Sequence, residues 1–190
     1  MYQITKRDQL MLDFLKEVKI AKTFTLSDMF YPSLRVAQRR LKTLYDNKVI
    51  KRYREYVGQE YIYYIDRKPN QTKHSLLLTD FIRELNKINN IEIIKVKKEL
   101  TLSNVRADGF VAFKYNENTY IACIEIEISN NKFNTKKYEE LYLSQDYKKY
   151  LPTFPIILGI TNKKIESSKY FDVLKIKTDF SNMNDLLSKL

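Results

Sequence analysis

Two short carboxylate motifs carry the residue types best suited to chemistry: Arg106-Ala107-Asp108-Gly109 and Glu125-Ile126-Glu127. On a β-strand, residues i and i+2 point to one face. Glu125 and Glu127 are therefore expected to project together, with Cys123 on their side and Ile124, Ile126 and Ile128 on the other. Asp108 and the two glutamates would form an all-oxygen donor set of the kind that suits Mg²⁺. A site of that kind could activate water for phosphodiester hydrolysis. Asp108, Glu125 and Glu127 are thus the candidate catalytic residues and the candidate metal ligands. The competing reading is a strand with one solvated acidic face. A single histidine, His74, and a single cysteine, Cys123, rule out a Cys/His metal cluster and an internal disulfide. His74 reads more simply as a helix residue packing between domains than as a proton shuttle.

A second constellation lies in Ser33–Glu60. Leu34, Ala37, Leu41, Leu44 and Tyr45 recur at helical period, while Arg35, Gln38, Arg39 and Lys42 occupy the opposite face. A helix face with three cations and one amide suits the major groove of duplex DNA, where Arg and Gln reach base edges and Lys meets phosphates. A β-prone ribbon follows, with strands expected at Val49–Tyr56 and Glu60–Ile65 and a turn at Val57-Gly58-Gln59. It carries Arg52, Arg54 and Gln59, suited to phosphate or minor-groove contact. Its tyrosines are expected mainly to cover the small domain's core rather than to stack on bases.

Composition supports a polyanionic partner. The chain has 190 residues and a formal net charge of +11, with 44% apolar residues and only 3 Gly and 4 Pro. It can bury a core and is poorly suited to disorder. Residues 1–70 hold 15 Lys/Arg against 8 Asp/Glu, so the basic excess is concentrated there. No apolar run approaches the roughly 18 residues a membrane helix needs, and the N-terminal residues lack the apolar core of a signal peptide. The expectation is a cytoplasmic protein with no membrane association.

The elements that must position these residues fall into two domains. Residues 1–68 read as three helices and a hairpin, with N-caps at Thr5, Thr25 and Ser33 and a break at Tyr31-Pro32. The first helix, preceded by Ile4, offers Leu10, Met11, Phe14, Leu15 and Val18 as its apolar stripe. This is the order of a winged helix-turn-helix. The polar segment 66–71 is the expected boundary. Residues 72–190 read as α-β-β-β-α-β-α-β-α: a helix over Thr72–Ile88, strands at Ile91–Lys97, Gly109–Tyr115 and Thr119–Ile128, and a helix over Thr135–Tyr150. A strand at Pro155–Thr161, a polar helix or loop, a strand at Asp172–Lys177 and a helix over Asn182–Leu190 complete it. The expected fold class is α+β, a winged helix-turn-helix followed by a restriction-endonuclease-like α/β domain with an α-β-β-β-α-β core. Three successive strands exclude a doubly wound sheet. That core normally has a lysine two residues after its first glutamate. Glu127 stands there instead, leaving Lys132, Lys136 or Lys137 to replace it from the following helix.

On His74-Ser75-Leu76-Leu77-Leu78-Thr79-Asp80, Arg106-Ala107-Asp108-Gly109 and Glu125-Ile126-Glu127, the chain resembles the plasmid replication-relaxation proteins of mobile elements. Lys137-Tyr138 with Tyr147 or Tyr150 is similar to that family's Lys-x₂-Tyr helix. The resemblance spans most of the sequence, although many members have Glu-x-Asp where Glu125-Ile126-Glu127 stands. It implies double-stranded DNA binding in plasmid, phage or conjugative-element replication, transfer or its regulation. Partners could then include a second copy of the chain or other replication or transfer proteins. It implies no demonstrated catalytic step, so no cofactor is expected unless Mg²⁺ serves a nuclease site at Asp108, Glu125 and Glu127. A third expectation is a mobile-element protein that inhibits a host nucleic-acid enzyme.

Overall fold

The computed structural model describes residues 3–129, 133–188 and 190. The chain is α+β and divides into two compact units, Met1–Arg83 and Glu84–Leu190.

The first unit begins with helix α1 (Lys6–Val18). Thr5 caps it through a reciprocal box: its hydroxyl accepts from the Asp8 N–H, and the Asp8 carboxylate accepts from the Thr5 N–H at 2.7 Å. Met11, Leu12, Leu15 and Val18 are buried. Leu10 was expected in that stripe but lies on the opposite face, exposed to solvent, because the inward period runs through Leu12. Strand β1 (Ala21–Lys22) leads into α2 (Thr23–Phe30). The expected cap at Thr25 is not used. Thr25 sits inside the helix and donates its hydroxyl to Asp80 at 3.0 Å. A distant group caps α2 instead: Glu60 Oε2 accepts from the Phe24 N–H at 2.9 Å.

Ser33 caps α3 (Leu34–Asp46) as its sequence indicates, accepting from the Val36 N–H. Strands β2 (Lys51–Tyr53) and β3 (Ile62–Tyr64) are shorter than expected. The sheet gains β1 at its edge, in the order β1-β3-β2, all antiparallel. Two-residue β1 has no periodicity to read, so only long-range pairing defines it. Met11, Leu15, Leu26, Ala37, Leu41, Leu44, Ile50 and Tyr63 form the core.

Helix α4 (Thr72–Asn86) contributes its first turns to this unit. Asp80 accepts from Lys22 Nζ at 2.6 Å as well as from Thr25, and Arg83 lies 3.9 Å from Asp28. The division between units therefore falls within α4, further along the chain than the polar segment 66–71.

The second unit is a five-stranded mixed sheet in the order β4-β5-β6-β7-β8. Strands β4 (Ile91–Leu102), β5 (Val105–Tyr115) and β6 (Asn118–Ile126) form an antiparallel meander. The β5–β6 connection is tight, with Asn116 at φ 46° and Glu117 at φ 73°, the left-handed geometry that two-residue hairpins select. After α5 (Lys136–Ser144), β7 (Ile156–Ile160) and β8 (Val173–Ile176) add in parallel. The expected helix 135–150 is interrupted at Gln145, which is left-handed at φ 59° and hands over to a 3₁₀ turn at Asp146–Lys149. The closing helix α6 (Asn184–Leu187) is shorter than read from the sequence and lies beside β8 with Leu186 buried. Phe110, Ala112, Cys123 and Ile157 share the sheet face covered by Tyr138 and Leu141 of α5. No helix among the described residues is long and apolar enough to cross a membrane.

Candidate functional site

The helix α3 has the two faces its sequence specifies. Ala37, Leu41 and Leu44 are wholly buried, while Arg35, Gln38, Arg39 and Lys42 are all exposed. Lys42 is not surrounded only by cations. Its ammonium pairs with Asp46 one turn on, at 2.6 Å, an exposed i,i+4 pair worth only about 0.3–0.5 kcal/mol.

Arg40 is the cation sequence reasoning missed. Its Nε lies 3.0 and 2.9 Å from the two Asp8 oxygens and its Nη2 lies 2.6 Å from Oδ2, with a further bond to the Gln3 carbonyl. Asp8 is fully buried and also accepts from the Tyr31 hydroxyl at 3.1 Å. Burial alone would raise the Asp8 carboxyl, but its bonds from Arg40, Thr5 and Tyr31 hold it below the usual carboxylate range. This bidentate pair joins α1 to α3 and fixes the helix's rotation about its own axis. The signal was present: Arg40 lies three residues after Ala37, at the edge of the apolar stripe.

In the hairpin, Arg52 plays a different part from its neighbours. Its guanidinium carbon lies 4.2 Å from the Tyr45 ring centre and 4.0 Å from that of Tyr61, so it is stacked against both α3 and the ribbon. It is half-buried, and much of its surface serves packing. Arg54 and Gln59 are exposed, with Arg54 5.2 Å from the Tyr61 ring. Among the ribbon tyrosines, Tyr63 is buried and Tyr53, Tyr61 and Tyr64 are half-buried. Tyr56 alone stands out into solvent.

In the second unit, the pairing of Gly109 with Ile124 sets Asp108 and Glu125 side by side on the face that α5 covers. Strand β5 starts earlier than expected, so Asp108 lies within it. Asp108 Oδ2 accepts from the Ile126 N–H at 2.8 Å. Glu125 Oε1 accepts from Lys137 Nζ at 2.7 Å and from the Tyr138 hydroxyl at 2.5 Å. Lys137 also donates to the Arg106 carbonyl at 3.1 Å. Burial raises the Glu125 carboxyl, Lys137 and Tyr138 pull it back, and the charge of Asp108 raises it further. Burial and the adjacent Glu125 push the Tyr138 phenol far up, and burial pushes Cys123 up to about 12.

Glu127 does not join this pair. Strand β6 ends at Ile126, and the Glu127 carboxylate accepts from the backbone and hydroxyl of Ser129 at 2.9 and 2.5 Å. The period-2 argument fails there because the strand has already ended, and Ile128 is exposed for the same reason. Of the three lysines available to the site, Lys137 reaches Glu125 and Lys136 is exposed. Lys132 lies outside the described residues. No group of three or more Asp, Glu, His or Cys able to hold a metal ion occurs among the described residues. The donors that would suit Mg²⁺ are Asp108 and the free oxygen of Glu125, since that ion usually takes one or two carboxylates and keeps its waters.

His74 lies on α4 with its Nδ1 buried and lacking a hydrogen-bond partner among the described residues. Asp80, in the same sequence motif, has the clear role of holding α4 through Lys22 and Thr25. Compared with known proteins, the chain matches no family model and no curated protein sequence.

Proposed function

We propose that this protein binds double-stranded DNA through α3, as a winged helix-turn-helix of a plasmid, phage or conjugative element acting in replication, transfer or their regulation. The observation that carries the reading is the outward presentation of Arg35, Gln38 and Arg39 on a helix whose other face is sealed into a core. In this reading α3 enters the major groove. Arg35, Gln38 and Arg39 read base edges, and Lys42 exchanges Asp46 for a phosphate. Arg54 and Gln59 contact the backbone or minor groove from the ribbon, while Arg52 holds ribbon and helix together. The Asp8–Arg40 pair presents the reading residues at a fixed angle. Replacing Arg35 and Arg39 by Ala and measuring affinity for a duplex selected from random DNA tests it. A loss of about 1–3 kcal/mol for each base-reading Arg is expected. Equal affinity would reject the reading.

A second reading rests on a specific observation, the contact of Lys137 with Glu125. The restriction-endonuclease-like core lacks its lysine in sequence, and α5 supplies one 2.7 Å from the carboxylate. Mg²⁺, held by Asp108 and Glu125, would supply Lewis-acid stabilisation and a water nucleophile. Lys137 would pull the Glu125 carboxyl back against its burial, and Tyr138 would fix its rotamer. Incubation of supercoiled plasmid with the protein and Mg²⁺, with Glu125→Gln and Lys137→Ala as controls, decides it. Nicking abolished by both substitutions supports a nuclease. Intact plasmid, or nicking that survives them, removes it.

A further inference from the structure

We infer that the groove between α3 and the ribbon is a mononucleotide-binding site. A cavity of about 430 Å³ opens there, within the range of roughly 300–1,000 Å³ typical of small-molecule sites. Its walls combine three chemistries that a nucleotide needs at once. Phe24 and Leu34 supply apolar and aromatic surface for a flat base, beside Tyr61 with Arg52 stacked on its ring. Phe24 is the informative one, because it is 45% exposed at the start of α2, where a core phenylalanine would be covered. Arg52 and Lys42 supply two cations on the same cavity for a phosphate. Gln38 and Gln59 supply amides, each both donor and acceptor, that can pair with a base edge.

Arg52 is the residue that makes the site more than a basic cleft. Stacking against Tyr45 and Tyr61 holds its guanidinium plane in place, so little conformational freedom is lost when it meets an anion. Among the described residues Lys42 is held by the exposed Asp46, a partner that a phosphate can displace. The one acid on the cavity, Glu60, has its Oε2 occupied by the Phe24 N–H.

Gln38 and Lys42 also belong to the face proposed to read DNA. On that reading, a bound nucleotide and a duplex compete, and the groove makes DNA binding responsive to a small metabolite.

The test titrates nucleoside 5′-monophosphates and, separately, inorganic phosphate into the full chain by calorimetry at low salt. One saturable site per chain is expected for at least one nucleotide, with inorganic phosphate at least about tenfold weaker, because it forgoes the apolar walls. Arg52→Gln and Lys42→Gln are each expected to weaken the nucleotide about tenfold. Lys42 is exposed, so its variant reports on binding even where Arg52→Gln disturbs the packing. Absence of saturable heat, equal binding of phosphate, or wild-type affinity in Lys42→Gln overturns the assignment. Duplex anisotropy with and without nucleotide then tests the competition: a raised apparent Kd supports it and an unchanged one overturns it. Failure of the wild type to bind any duplex would sink the DNA reading alone, leaving the nucleotide site to be decided by the calorimetry.

Discussion

Asp8 offers the sharpest test of how α3 is held. Replacing it by Ala removes the carboxylate half of the α1 capping box and takes the carboxylate partner from the Arg40 guanidinium, which has 24% of its side-chain surface exposed. Breaking a buried ion pair from one side costs about 3–5 kcal/mol, and an N-terminal box adds about 0.5–2. Arg40's partial exposure lets water recover some of its hydration, so a total near 3 kcal/mol is expected. For a unit of this size that corresponds to a fall in Tm of about 12–24 °C. Urea unfolding followed by circular dichroism gives the value, and the double variant Asp8→Ala/Arg40→Ala gives the coupling. The double variant should be no less stable than Asp8→Ala alone, because the cation that lost its carboxylate is gone as well. A single-variant loss below about 1 kcal/mol would refute the reasoning. The pH dependence has a definite sign. The Asp8 carboxyl is lower in the folded than in the unfolded chain, so its stabilisation is complete above the ordinary Asp range and is lost as pH falls through the folded value. Asp8→Asn should flatten that acid limb.

Three further outcomes follow from the second unit and from α4. Glu125 is shifted the other way, so its ionisation opposes folding as pH rises above the ordinary carboxylate range. Removing the compensating cation in Lys137→Ala should steepen the decline in stability with pH, as read by denaturation at several pH values. Cys123 is buried with its thiol pushed up to about 12, so it should resist an aromatic disulfide reagent in the native protein and react at once in denaturant. Asp80→Ala leaves Lys22 and the buried Thr25 hydroxyl without their acceptor and should cost about 2–4 kcal/mol in urea denaturation.

Local signals were legible where local physics decides the outcome. The caps at Thr5 and Ser33, the two faces of α3, the break at Tyr31-Pro32 and the three successive strands with a turn between 115 and 119 all depend on neighbours within a few residues. What escaped depends on partners distant in sequence. Thr25 looks like a cap until Asp80, 55 residues on, takes its hydroxyl. Arg40 looks like one more basic residue until Asp8 closes on it. Arg52 reads as a free wing cation until Tyr45 and Tyr61 are seen to flank it. In the carboxylate site, Asp108 and Glu125 are legible as candidates from their motifs, but Asp108 reads as preceding its strand, so their side-by-side placement comes only from the β5–β6 register. The end of β6 before Glu127 was not, because no breaker marks it. Lys137 was one of three equivalent lysines until α5 was placed.

Whether α3 reads a duplex decides the proposed function. Fluorescence anisotropy against the best duplex from random selection, across a salt series, addresses this directly for wild type and for Arg35→Ala/Arg39→Ala. The account predicts specific binding that weakens steeply with salt in the wild type, and a double variant that keeps its fold but loses discrimination between selected and scrambled duplexes. A double variant that binds the selected duplex as tightly and as selectively as wild type would contradict it.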